Sequence, residues 1–346
     1  MLTPDFTLGA RATASSHLFT MLTETYNIGT LTTTHDLGGT YNLNVALHTL
    51  TGQYVARVYR PWVTKDRLQA VHRLKNELIT HNIPVVLPYP THTGTTYTTF
   101  EDRLVEVEPL LRIDQMNESL PSYLQAATML GQLHNVLLQA GDDTTIPDPC
   151  IANYASPEQI KDWILHVDEQ LQYTTHSRLS EARTICSNAL TLLEEVCRWW
   201  DRYRAILPRQ LIHGDYGLGN IAFREGNIIG LLDFDFVARR ERVFELAYTT
   251  FWMIYRLQLE RSVHTMWDHV EQFVTHYEQT SSVPLTDEEW MSLPVEMVRV
   301  PLYWLAEVAF LSNPADEEVV RYARHIALAQ QICNEQDVWL RRSRVT

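Results

Sequence analysis

The chain has 346 residues and a formal net charge of −14, from 28 Lys and Arg against 42 Asp and Glu. That balance excludes a non-specific nucleic-acid binder, which depends on a basic surface. A content of 45% hydrophobic and 20% charged residues excludes global disorder, and at roughly 150 residues per domain the length suggests about two domains. The lysines are Lys65, Lys75 and Lys161, and every other basic side chain is arginine or histidine. The cysteines, Cys150, Cys186, Cys197 and Cys333, show no CxxC pairing and no metal-ligand spacing. The first residues lack the basic and apolar regions of a secretory signal. No run approaches the ~20 apolar residues of a membrane helix, because Val295 to Leu311 is broken by Glu296, Arg299, Pro301 and Glu307. These features predict a cytoplasmic protein with no membrane partner.

The first 110 residues read as β-rich. A Thr-rich stretch ends at Gly38-Gly39. The segment from Thr40 to Gly52 alternates and turns at Thr51-Gly52, and Tyr54 to Arg60 alternates again. Lys65 to His81 has helical spacing through Leu68, Val71, Leu74, Leu78 and Ile79. Val85 to Leu87, Thr95 to Phe100 and Arg103 to Val107 read as three short strands.

After Pro109 the pattern changes. Pro121 to Ala140 is an amphipathic helix, with apolar residues at three- and four-residue steps. Gly141 to Ser156 is a loop, and helices are predicted over Pro157 to Tyr173 and Ser177 to Arg204. A β patch follows at Gln210 to Ile212, Ile221 to Arg224 and Ile228 to Leu232. From Val243 onward three or four helices are predicted, separated by Pro284, Pro294, Pro301 and Pro314. The whole is an unequal two-lobe α+β architecture. A β-rich lobe spans residues 1–110, and a helical lobe with a small β hairpin spans 111–346.

The chemistry is concentrated in Leu211 to Phe236. His213-Gly214-Asp215 is followed five residues after the aspartate by Asn220, and Asp233-Phe234-Asp235 stands beyond an apolar strand. Neither HGD nor DFD carries weight alone, since Asp and Asn are common in turns. Together they match the H-x-D-x-x-x-x-N … D-F-x spacing of a phosphoryl-transfer site. Such a site needs one carboxylate to orient the attacking hydroxyl and two oxygen ligands to hold Mg²⁺ against the triphosphate. His213 has two readings, as part of the catalytic set with Asp215 or, preferred, as a loop-packing side chain. Asp235 is a further metal contact or a charged strand end.

At these residues the chain resembles the aminoglycoside phosphotransferase, choline kinase and homoserine kinase group, which has a protein-kinase-like bilobal fold and carries HGDxxxxN. Further likenesses are Leu37 to Asn44, Tyr54 to Arg60, Ile83-Pro84-Val85, Met129 to His134 and Phe244 to Ala247. The resemblance implies that Asp215 is the catalytic base and that Asn220 and Asp233 are Mg²⁺ ligands. It implies that Gly38, Gly39 and Thr40 cover the phosphates of ATP. Arg57 falls where the kinase lysine pairs with the phosphates. The segment Val105 to Leu110, with Glu106 and Val107, would be the hinge that meets adenine. Arg57 departs from lysine, and arginine binds phosphate bidentately with a different reach. Its helix partner would be Glu77 or Asp66.

The expected activity is ATP- and Mg²⁺-dependent phosphate transfer to a small hydroxylated acceptor. Trp163, Trp199, Trp200, Trp252, Tyr255 and Trp304 are candidates to line the acceptor pocket, although aromatic residues at helical spacing are more often core. Two alternatives stand beside this reading: a kinase acting on Ser or Thr of a peptide, and a catalytically silent kinase-shaped scaffold.

Overall fold

The computed structural model describes residues 11–115, 118–143, 146–149, 153–173, 178–311 and 316–342. Cys150 and residues 1–10 lie outside them. Five strands, β1 (Leu31–Gly38), β2 (Leu43–Thr49), β3 (Gln53–Val58), β4 (Thr98–Phe100) and β5 (Arg103–Pro109), form an antiparallel sheet in the order β1-β2-β3-β5-β4.

The two-residue period of a strand gives this sheet two unlike faces. Leu43, Val45, Leu47, Ala56, Val58, Val105 and Val107 point to one side. They bury against Leu18 and Leu22 of α1 (Ser16–Thr25) and against Tyr26 and Ile28. Helix α1 escaped the sequence reading. Its signals are the Ser15 side chain, which accepts from Leu18 N at 3.2 Å, and the i, i+4 pair Leu18/Leu22. The other face of the sheet carries Arg57 opposite Glu106 and Val55 opposite Glu108.

Helix α2 (Lys65–Thr80) starts at a Thr64 N-cap. Its Val71, Leu74 and Leu78 join the core of the helical region instead of the sheet core, so α2 ties the two regions together. Val85 to Leu87, expected as a strand, makes a single parallel bridge between Val85 and Leu231.

The chain leaves the sheet after Pro109, and Asp114 N donates to Phe223 O at 2.8 Å. Helices α3 (Leu120–Asp143), α4 (Pro157–Leu171) and α5 (Leu179–Tyr203) follow the predicted periodicity. Ser156 and Gln159 form a capping box at α4, with Pro157 in the first turn.

The β patch differs from expectation. Strand β6 (Arg209–Ile212) pairs with β9 (Ala238–Glu241), which the sequence reading missed, while β7 (Ile221–Arg224) pairs with β8 (Asn227–Leu231). The segment from His213 to Asp235 is therefore held by two separate ribbons. Helices α6 (Arg242–Leu257), α7 (Val263–Glu278), α8 (Asp287–Ala306), α9 (Asp316–Val320) and α10 (Ala323–Leu340) complete the fold.

Pro294 and Pro301 lie inside α8 and do not end it. An interior proline costs about 3 kcal/mol. Helix α8 is buried along most of its length against α5, α6 and α10, and that packing outweighs the loss. Among the described residues no helix is long and apolar enough to cross a membrane.

Candidate active site

Four loop residues meet where β6, β7 and β8 end. Gly214 has φ +85°, and a Cβ there would lie 2.3 Å from Phe236 O, so only glycine fits between the His213 turn and the following strand. Glu245 on α6 accepts from His213 N at 2.9 Å and from Gly214 N at 2.6 Å. It also bonds His134 Nε2 of α3 at 2.9 Å, so two helices hold the turn through one buried carboxylate.

His213 is 0% exposed. Its Nε2 donates to Leu232 O at 2.8 Å, and its Nδ1 accepts from Asp215 N at 3.3 Å. Burial pushes its pKa down. A neutral, enclosed imidazole joins the Asp215 turn to the strand that carries Asp233. This corrects its grouping with the catalytic residues, because a substrate has no access to it.

The Asp215 carboxylate takes three hydrogen bonds. Tyr248 Oη donates to Oδ1 at 2.5 Å, Asn153 Nδ2 to Oδ1 at 2.9 Å, and Asn220 Nδ2 to Oδ2 at 2.9 Å. Burial and the negative charge of Asp233 push its pKa up to about 8, against the pull of those donors. Asn220 Nδ2 also donates to Asp215 O at 2.9 Å, which leaves the amide oxygen as the atom a cation can use. Leu232 N donates to Asn220 O and Leu231 N to Pro84 O, so Asp233 is delivered beside Asn220. Asp233 itself has φ 59° and ψ 66°, the left-handed region that a non-glycine residue rarely occupies.

The sheet region faces this loop with charge. Arg57 Nη1 lies 3.0 Å from Asp233 Oδ1 and 3.1 Å from Asp235 Oδ1. Neither Glu77 nor Asp66 is its partner, contrary to expectation. Helix α2 instead presents a lysine and a histidine to carboxylates on the sheet. Lys75 Nζ is 2.5 Å from Glu108 Oε1, and His72 Nε2 is 2.6 Å from Glu106 Oε2.

Tyr59 Oη also donates to Glu106 at 2.7 Å. Glu106 is 2% exposed and Val107 lies in the sheet core, with its carbonyl taken by Tyr89 N. Both sit within β5, and the connection between the regions begins after Pro109, at Leu110, the last residue of the expected hinge segment. Arg67 of α2 donates to Asp235 O and Val237 O, which buttresses the segment beyond Asp233.

The turn between β1 and β2 holds Gly38, Gly39 and Thr40, all exposed. Gly39 has φ +117°, and a Cβ would lie 2.7 Å from Asn44 Nδ2. Just past the turn, Asn42 Nδ2 donates to Asp235 Oδ2 at 2.5 Å and Tyr41 Oη donates to Glu307. The turn thus reaches across to the helical region at two points. Sequence reasoning missed Asn153, Tyr248 and Glu307, since nothing in local spacing marks them, and it included Tyr41 and Asn42 in the Leu37 to Asn44 likeness without their partners.

Of the six aromatic candidates, Trp163 packs on Phe310, Trp199 on Tyr203, and Trp200 beneath Arg299. Trp252, Tyr255 and Trp304 cluster next to Tyr248.

A small antiparallel sheet and a larger helical region, meeting at an Asp-Asn-Asp loop, define the kinase-like class of phosphate-transferring folds. The profile of the phosphotransferase enzyme family, APH, matches residues 32–279, and the chain belongs to that family of enzymes. It is similar to a homoserine kinase of Zymomonas mobilis subsp. mobilis, 23% identical over 82% of each chain. It is also similar to a homoserine kinase of Gluconobacter oxydans, 26% identical over 64% of this chain and 66% of that one. Among solved structures, a microcompartment-associated aminopropanol kinase matches with a TM-score of 0.68 at 14% identity, over 95% of this chain and 99% of that one. An amicoumacin kinase, solved with AMP-PNP and Ca²⁺, matches with a TM-score of 0.65 at 15% identity over 93% of each.

Proposed function

We propose that the protein is an ATP- and Mg²⁺-dependent O-phosphotransferase. It moves the γ-phosphate to a hydroxyl of a small molecule of aminoglycoside-, choline- or homoserine-like kind. The observation that carries this reading is the convergence of Asp215, Asn220 and Asp233, faced by Arg57, with Asn42 beyond the glycine turn bonded to Asp235.

The donor set suits the metal. Among the described residues no cluster of three or more His, Cys, Asp or Glu side chains could hold an ion alone. Asp233 and the free amide oxygen of Asn220 offer two hard oxygen ligands, the kind Mg²⁺ takes when phosphate and water complete its shell. Bound there, the ion would neutralise charge on the transferring phosphate.

Asp215 accepts the proton of the attacking hydroxyl or orients it. Tyr248, Asn153 and Asn220 fix the direction of its lone pairs toward the hydroxyl it would meet. Arg57 supplies a permanent cation for the phosphates, in place of the pairing it makes here with Asp233 and Asp235. Gly38, Gly39 and Thr40 offer a side-chain-poor approach to the same phosphates. Tyr41 closes the acceptor side onto Glu307, which favours a small acceptor over a peptide. Retention of Asp215, Asn220 and Asp233 in one geometry favours an enzyme over a silent scaffold.

The test is a screen for transfer from radiolabelled ATP to aminoglycosides, choline, homoserine and Ser/Thr peptides, with Asp215→Asn as blank. Calorimetry with Mg·ATP accompanies it. Absence of nucleotide binding by the parent protein would sink the proposal.

A further inference from the structure

One of the three donors to Asp215 comes from outside the fold's regular elements. Asn220 and Tyr248 belong to the stretch that runs from β6 to α6. Asn153 arrives from the connection between α3 and α4, where residues 153–156 are neither helix nor strand. It is 2% exposed, and its Nδ2 donates to Gly214 O at 3.3 Å as well as to Asp215 Oδ1 at 2.9 Å. Both partners only accept, which fixes the orientation of the amide. Among the described residues its Oδ1, also buried, has no hydrogen-bond partner. A buried acceptor left unpaired is costly, so Asn153 is held in place by something other than its own hydrogen bonds.

The holding groups act on the next residue. Tyr154 is clasped from four elements. Its ring packs edge-on against Phe244 of α6 at 5.2 Å between centroids and against Trp200 of α5 at 6.1 Å. The guanidinium of Arg299 on α8 lies 4.4 Å from the ring centre, and that of Arg240 on β9 lies 4.9 Å from it. The Tyr154 hydroxyl donates to Glu241 of β9, which is 3% exposed. Arg299 is 1% exposed. It also covers Trp200 and Phe244, each at 4.7 Å, pairs with Glu296 at 2.8 Å, and brings Nη1 to 3.5 Å from Ala155 O. Ser156 then caps α4. A buried ion pair adds little net stability over apolar side chains of the same volume. A rigid planar cation against three rings instead gives Tyr154, and the chain on either side of it, a single position.

We infer that Tyr154 and Arg299 are positioning residues for phosphate transfer: they hold Asn153 where its amide sets the direction of the Asp215 carboxylate. Neither touches Asp215, Asn220 or Asp233. The inference rests on the phosphotransferase reading above and extends the support of the reacting carboxylate into the core between α5, α6 and α8. A carboxylate turns easily about its last torsion, so losing one of three donors changes where its lone pairs point, and small misplacements of a reacting group are costly in rate.

The experiment measures ADP release from Mg·ATP by the full chain, with L-homoserine, choline, kanamycin and water as acceptors. The variants are Asn153→Ala, Tyr154→Ala, Tyr154→Phe and Arg299→Lys, with Tyr154→Ala and Arg299→Lys also made in the Asn153→Ala background. Asn153→Ala should lower kcat about ten- to a hundredfold, with the KM for Mg·ATP within about threefold of the parent. Tyr154→Ala and Arg299→Lys should lower kcat in the same sense. Tyr154→Phe, which keeps the ring, should recover most of the loss seen in Tyr154→Ala. In the Asn153→Ala background neither second change should lower kcat further, because residues acting through one partner are not additive. A merely structural role would lower the melting temperature and reduce kcat by the same factor in both backgrounds, and that result overturns the inference. So does a parent-like kcat in Asn153→Ala. If Tyr154→Ala does not fold, Arg299→Lys in the two backgrounds decides alone. In each of these cases the parent still turns over ATP and the phosphotransferase reading stands; no ADP release by the parent with any acceptor, water included, overturns both.

Discussion

The catalytic loop and the polar face of the sheet are both built from close charge pairs, yet they are assembled differently. In the loop, His213, Asp215, Asn220 and Asp233 lie within about twenty residues, and strands β7 and β8 convert spacing directly into geometry. On the sheet face, Arg57 meets Asp233 and Asp235 from 176 and 178 residues away, Lys75 meets Glu108 across 33, and His72 meets Glu106 across 34. In the proposed reaction the first arrangement places Asp215, Asn220 and Asp233 at the reacting atoms, with His213 enclosed behind them. The second fixes the wall those groups work against, and which cation faces which acid depends on the tertiary fold. Chemistry is local here, and its support is distributed.

The largest effect should fall in the loop. Asp215→Asn keeps the shape but removes the base and turns one accepting oxygen into an NH2 that faces another donor, and kcat should drop about 10³-fold or more. Mg·ATP affinity by calorimetry should stay within about threefold. Parent-like transfer by this variant would remove Asp215 from the chemistry and with it the distinction between the regions. Asp233→Ala should act on binding instead: Mg²⁺-dependent nucleotide affinity should weaken by about ten- to a hundredfold, measured with and without Mg²⁺. If the weakening is the same without the metal, Asp233 serves only as the partner of Arg57.

The third test crosses between the regions. Arg57→Met leaves Asp233 and Asp235 facing each other without a cation. Breaking a buried pair by removing one partner costs about 3–5 kcal/mol, and less where solvent reaches one side, as it does at Asp233. Thermal melting of the nucleotide-free protein should show that loss, and Mg²⁺ should recover part of it in the variant by neutralising the same carboxylates. A loss that Mg²⁺ does not touch would separate Arg57 from the metal site.

The limits of sequence reading follow the same division. Strands β2, β3, β5, β7 and β8 and helices α2 to α5 announce themselves by period. The HGDxxxxN spacing carries three side chains to one point because only two short strands intervene. Helix α1 was hidden by its threonines, and β9 by its Arg-Arg pair, which is half-exposed because β9 is an edge of a two-stranded ribbon. Pro294 and Pro301 misled because local cost was read without the packing around α8. The resemblance placed Glu106 in the hinge segment Val105 to Leu110. Its side chain is on the α2 face, and strand parity, which alternates Val105, Glu106 and Val107, held that information. The partners of Arg57 and the Tyr41 contact of Glu307 had no sequence signal at all, since each is made across more than a hundred positions.

The smallest expected effect probes the sheet face by pH. Burial pushes the Glu106 carboxyl up, but the His72 hydrogen bond and the charges of Lys75 and Arg57 outweigh it and hold its pKa below the ordinary 4.5. Tyr59 donates to the same carboxylate. A carboxylate with a depressed folded pKa adds stability above its unfolded pKa, and that stability is lost as pH falls through the folded value. Glu106→Gln should therefore be less stable than the parent above pH 5, by about 1–3 kcal/mol for a lost hydrogen bond to a charged group. The gap should close as pH drops below 4.5. Urea melts of both proteins across that range decide it. A gap that does not change with pH would mean that Glu106 acts through shape and neutral hydrogen bonds, and the sheet face would then be a packed wall instead of an electrostatic one.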